Sequence, residues 1–166
     1  DAERRFGLAP GALAVFAALQ LGVYLAMQVP AGLAADRLGP RRALAAGLAL
    51  MAAGEVTFAL ATTMPAALVG RGLVGVGDAC VFLNVLRLAQ SHFPARRYAL
   101  LACLAGLAGA LGQVVTTVPL GRALDGLGWT PTFAASGALT ALLVLACLRL
   151  VRDGQAAAGG GGREGM

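Results

Sequence analysis

Five apolar stretches constrain this chain of 166 residues more than any other feature. They run from about Pro10 to Ala31, Arg42 to Ala61, Ala66 to Leu88, Tyr98 to Leu120 and Pro131 to Leu150. Each is close to the ~20 residues with which a helix crosses ~30 Å of hydrocarbon. Strands of a membrane barrel would be about half as long and would alternate polar with apolar residues. These stretches do neither, so the fold class expected is all-α, a polytopic membrane bundle of about five transmembrane helices. Composition agrees: 58% of residues are hydrophobic and 13% charged, where a soluble domain carries about a quarter charged. Abundant Ala and Gly suit close helix packing in lipid.

The formal net charge is +5, and all 13 basic residues are arginine. A soluble basic protein would point to nucleic acid, but these arginines flank apolar runs, where they orient a chain in a membrane. No nucleic-acid partner is expected, and the absence of Lys fits a GC-rich coding bias. Arg37, Arg41, Arg42, Arg87, Arg96, Arg97, Arg149 and Arg152 fall on one side. Arg4, Arg5 and Arg122 fall on the other, offset by Asp1, Glu3 and Asp125. The first side is therefore expected to be cytoplasmic, with the N-terminus outside and the C-terminus inside. The Gly/Ala-rich tail, residues 153–166, reads as a flexible tail or interdomain linker. The start at "DAERRFG" shows no signal peptide and suggests a beginning inside a longer sequence.

Local chemistry marks the helix starts. "TTMPA" (Thr62 to Ala66) offers a threonine cap followed by a proline, and "WTPTF" (Trp129 to Phe133) repeats the device with Thr130 as cap. Trp129 is expected at headgroup level.

Charges inside the apolar runs are the candidates for chemistry. Glu55 lies in the second run, Arg71 and Asp78 in the third. Each is costly against lipid, so each is expected to face the bundle or a water-filled cavity. Glu55 and Arg71 lie at similar distances from the turn near Met64, so they could pair across a hairpin. Arg71 and Asp78 are two helical turns apart and share a face. Asp78, near mid-membrane, is the best proton-carrier candidate, because burial disfavours the charged form of a carboxylate. The plainer reading is an ion pair that locks two helices.

The first run carries two opposed stripes. Ala14, Ala18, Gly22 and Ala26 allow close helix contact, and Gln20, Tyr24 and Gln28 are candidates for lining a pathway. The fourth run has Ala102, Gly106, Gly109, Ala110 and Gly112 for packing, and Gln113 as its candidate for facing a solute. Cys80, Cys103 and Cys147 lack metal spacing and read as packing residues. His92 reads as solvated. Gly70, Gly72, Gly75 and Gly77 fall within a membrane helix without a Walker lysine, so they are no nucleotide loop. No catalytic constellation, cofactor site or metal site is apparent, and the chain is not expected to be an enzyme.

Two motifs resemble the major facilitator superfamily of secondary transporters. "GLAADRLGPRR" places Gly32, Asp36, Arg37, Gly39, Arg41 and Arg42 in the pattern of that family's loop between its second and third helices. "RGLVGVG", Arg71 to Gly77, resembles the family's fourth-helix motif. The visible helices then correspond to the family's second through sixth. The resemblance implies an N-terminal bundle at residues 1–152, a missing first helix and a C-terminal transporter half as partners. It implies that Gly32 allows a tight turn, that Asp36 and the arginines form a cytoplasmic latch, and that Arg71 is linked to proton coupling. Where some members carry an acid on the fourth helix, this chain has Asn84, Arg87 and Gln90. A Gly-Pro pair of drug antiporters is absent, since Pro119 precedes Leu120, so drug/proton antiport is disfavoured. Nor does the first visible helix hold a nitrate porter's arginine.

The function expected is secondary active transport of a small solute by alternating access, proton- or gradient-coupled, in the bacterial inner membrane. The alternatives are a non-transporting receptor or scaffold of the same fold, or an inactive remnant.

Overall fold

Pro30 breaks the first apolar run. It has no N–H to donate to the carbonyl of Ala26, and its ring crowds that carbonyl. The computed structural model describes residues 14–151. In it the run is two helices, α1 (Ala14–Ala26) and α2 (Gln28–Leu38), bent by 50°. There follow α3 (Pro40–Leu60), α4 (Met64–His92), α5 (Ala95–Leu127) and α6 (Trp129–Leu150). Among the described residues, four helices are long and apolar enough to cross a membrane, five when the bent pair is counted as one span. The fold is an all-α membrane bundle. The run's expected start at Pro10 and the tail at 153–166 lie outside the described residues, as do Arg4, Arg5 and Arg152.

The stretch Gly32 to Arg42 is not a loop. Helix α2 continues to Leu38, and the chain turns at Gly39, whose φ of 81° is open to glycine at little cost. Pro40 then starts α3 with a preset φ and disfavours a helical residue before it. Gly32, expected to make the turn, is helical. A Cβ there would meet Leu83 and Arg87 at 3.6 and 3.7 Å, which is ordinary contact. At the other turns, Thr63 precedes α4 in extended conformation but makes no side-chain cap bond. The cap of α6 is Gly128, at φ 83°, rather than Thr130. Thr130 is already helical and donates from Oγ1 to the Ala59 carbonyl at 3.1 Å. Trp129 is buried rather than at a surface, with Nε1 donating to the Phe58 carbonyl at 3.0 Å.

Helices α3 and α4 form the centre of the bundle, with their backbones in contact. A Cβ on Gly54 would lie 2.7 Å from the Gly70 carbonyl oxygen, and one on Gly77 would lie 2.5 Å from that of Gly47. In lipid, where apolar side chains gain little by associating, such close approach is what joins helices. Helix α6 packs on the far side of α3, with Gly137 against Val56. Helix α1 packs on α4 through Gly75, where a Cβ would lie 2.6 Å from the Gln20 carbonyl. That contact overturns the expected packing stripe: Ala14, Ala18, Gly22 and Ala26 are exposed, and nothing lies within 4 Å of Gly22. One small residue, Gly75, suffices for the approach when it lies on the partner helix. Helix α5 also departs from expectation. Gly106, Gly109 and Gly112 have open space around them, and none of its spanning window is buried among the described residues.

The largest apolar cluster joins Phe16 of α1, Phe58 and Ala59 of α3, Ala67 of α4, and Trp129 and Phe133 of α6. A smaller one, at the other end of α3, joins Leu44, Ala45 and Cys147. Cys103, expected in packing, is exposed.

Gly77→Val forces the α3–α4 contact apart. We expect a loss of about 1–3 kcal/mol, typical of overpacking. It is read as a lower unfolding temperature of the detergent-purified full-length protein, with Gly77→Ala intermediate.

Candidate functional site

The contact of Gly77 with α3 fixes the rotation of α4. The next residue, Asp78, is turned by about 100° toward the opposite side. There it lines a pocket of about 310 Å³ with Ala17, Gln20, Leu21 and Tyr24 of α1 and Gln113 of α5. Four of the polar residues singled out in the sequence, Gln20, Tyr24, Asp78 and Gln113, are thus brought together. Gln28 is not among the lining residues; it lies beyond the break after Ala26, which ends the regular stripe of α1.

The expected ion pair between Glu55 and Arg71 is not formed. The guanidinium of Arg71 lies over the Phe58 ring, 3.9 Å from its centroid, and 5.5 Å from that of Phe133. Its Nη1 donates to Gln20 Oε1 at 3.3 Å. Glu55 instead accepts from Thr140 Oγ1 at 3.1 Å. The opposite charges still attract through space. A cation held on an aromatic face away from water is stabilised by about 2 kcal/mol or more, which is why the flexible arginine settles there. The two glycines of the Arg71 motif have separate tasks: Gly75 admits α1 and Gly77 admits α3.

At the Gly39 end, the expected latch residues divide. Asp36 accepts from Arg87 of α4 at 2.5 Å. Arg41 donates to the Leu148 carbonyl in the last turn of α6, where a cation complements the exposed end of a helix. Arg37 and Arg42 are exposed, and Arg37 lines a shallow hollow on α2 with Pro30, Leu33, Ala34 and Leu38. Two of the charged residues are therefore engaged within this bundle. Near Arg87, Asn84 is fully buried; its Nδ2 donates to the Cys80 carbonyl at 2.7 Å, while Oδ1 has no partner among the described residues.

Several of these partners escaped the sequence reading. Arg87, which the sequence marks as an orienting arginine and a departure from the family pattern, holds Asp36. Phe58, Phe133 and Thr140 were not singled out at all. Phe58 is three residues after Glu55 and so shares its face of α3, the one signal that could have drawn attention to it.

The Asp36–Arg87 pair is partly exposed, with side chains 62% and 32% accessible, so its contribution to stability is small. A double-mutant cycle with Asp36→Ala and Arg87→Ala is expected to give a coupling of about 0.2–1 kcal/mol. The charge-swapped double variant is expected to recover it.

Compared with known proteins, the chain matches the family model described as Major Facilitator Superfamily over residues 2–165. No curated protein and no solved structure matches it.

Proposed function

The chain belongs to the Major Facilitator Superfamily of membrane transporters, and from that premise we propose that it is part of a secondary active transporter of a small solute. The observation that carries this reading is the pocket in which Gln20 and Tyr24 of α1, Asp78 of α4 and Gln113 of α5 converge. Polar side chains gathered among membrane helices mark solute and ion pathways. The break between α1 and α2, a few residues beyond Tyr24, belongs to the same pattern, since discontinuous helices commonly border transporter sites.

The roles divide by chemistry. Gln20, Tyr24 and Gln113 offer hydrogen bonds to the solute. Among the described residues Asp78 is the only carboxylate lining the pocket, and it carries the coupling proton. Arg71 is tied to the pocket through Gln20. It sets the local field, and Glu55 balances it from the other side. Asp36, Arg37 and Arg42 act as a latch in alternating access, with Gly39 as its turn. On the family's plan, this bundle belongs to an N-terminal half that works against a C-terminal half. The Gly39 end faces the cytoplasm of a bacterium, by the excess of arginine there.

The test uses the full-length protein in proteoliposomes with a pH-sensitive dye trapped inside. Addition of a transported solute from a chemically varied panel moves protons with the wild type. Asp78→Asn is expected to reduce that flux at least about tenfold, equivalent to ~1.4 kcal/mol, while Gln113→Leu weakens apparent solute affinity. Solute transport that is unchanged and pH-independent in Asp78→Asn overturns the coupling role of Asp78.

A further inference from the structure

The walls of the α1–α4–α5 pocket favour one sign of charge in the solute, and this inference rests on the transporter reading above. Asp78 has no ion pair and no hydrogen bond among the described residues. The other internal charges differ. Arg71 is held by Phe58 and Gln20, and Glu55 by Thr140. Arg71, the nearest arginine in sequence, is two helical turns away along α4 and is not among the pocket's lining residues. The remaining walls are two carboxamides, a phenol, an alanine and a leucine, and none of them is a cation.

That set discriminates by charge. An anionic solute would enter beside a carboxylate, and the nearest arginine in sequence, Arg71, is already held by Phe58 and Gln20. A neutral solute offers nothing to the charged form of Asp78, so it would leave the proton on the carboxylate and form no ion pair. An ammonium group supplies the missing charge. Where it has an N–H it donates to the carboxylate in a charge-assisted hydrogen bond and to the carboxamide oxygen of Gln113; a quaternary ammonium pairs with the carboxylate by charge alone, and either is attracted to an aromatic face such as that of Tyr24. The pocket's volume of about 310 Å³ is on the order of ten waters. That is room for a small organic ion. We propose that the transported solute is a small organic cation of the ammonium class, with Asp78 as its counter-charge and Tyr24, Gln20 and Gln113 as the pocket around it.

The experiment is thermal unfolding of the detergent-purified full-length protein with a graded panel of probes. The cations are choline and ethylammonium. The neutral probes are 3,3-dimethylbutan-1-ol, the uncharged isostere of choline, and ethanol. The anions are acetate and lactate. Expected is a dose-dependent rise in unfolding temperature with the ammonium probes alone. Asp78→Asn weakens it at least about tenfold, and Asp78→Glu, which keeps the charge, stays within about tenfold of wild type. If Asp78→Asn does not fold, judged by its elution and unliganded unfolding, the selectivity of the wild type and of Asp78→Glu decides. Stabilisation by the neutral or anionic probes, or equal stabilisation of Asp78→Asn by the cations, overturns the inference and leaves the transporter reading standing. If no probe of any charge stabilises the protein and no solute moves protons in the proteoliposomes, both readings fall.

Discussion

Backbone contact between α3 and α4 is the constraint on which the rest of the structure depends. Gly47 and Gly54 meet Gly77 and Gly70 so closely that a methyl group on any of the four would strike the facing helix. Lipid tails compete with apolar side chains for the same contacts, so the helices are joined by closeness itself, through dispersion between backbones. Closeness also fixes rotation. With Gly70 and Gly77 facing α3, Arg71 and Asp78 must each lie one residue round the helix, on the side where α1 packs. The register that places Phe58 against Gly70 is the register that places its ring under the guanidinium of Arg71.

Three charges inside the bundle then meet three different surroundings. Arg71 rests on an aromatic cluster in which Phe58 also touches Phe16, Trp129 and Phe133, with ring centroids 4.8–5.5 Å apart. One residue thus serves both the apolar core and the buried cation. Glu55 is partnered from α6 by a threonine hydroxyl, a contact worth about 1.5–3 kcal/mol to a charged group. Asp78 lines a pocket. The difference separates a charge that holds helices together from one available to a visitor.

The apolar runs and the fold class were legible in the sequence, because hydropathy acts along one chain; Gln20, Tyr24, Asp78 and Gln113 stood out there as polar residues in apolar runs, but their gathering at one pocket depends on how the helices pack. Most of the misreadings share one cause: they concern which helix faces which. Small residues on α1 suggested a contact, but an alanine or glycine marks an interface only where a neighbour lies against it, and here Gly75 on the other helix admits the approach. Arg71 had two carboxylates within plausible reach and settled on a phenylalanine ring and a glutamine instead. Arg87 could be matched to Asp36 only once the packing of α2 on α4 was known. Gly39 rather than Gly32 makes the turn because a proline follows it; the helix-forming run from Leu33 to Leu38 outweighed the motif's suggestion of a loop.

The two ends of the first span are held with unequal strength. Helix α1 is fixed to α4 by backbone contact at Gly75 and by Phe16 in the aromatic cluster. Helix α2 lies between a proline break and the turn at Gly39, and its charged end is tied to α4 by a single exposed ion pair. A contact of this kind contributes up to about 1 kcal/mol, whereas a tenfold population change needs only ~1.4 kcal/mol. A competing partner for Asp36 or Arg87 therefore needs only a modest advantage to break this pair, while the buried Ala31 and Ala35 keep α2 packed on its neighbours. The same advantage could not part α3 from α4, where separation would give up every backbone contact along the glycine seam.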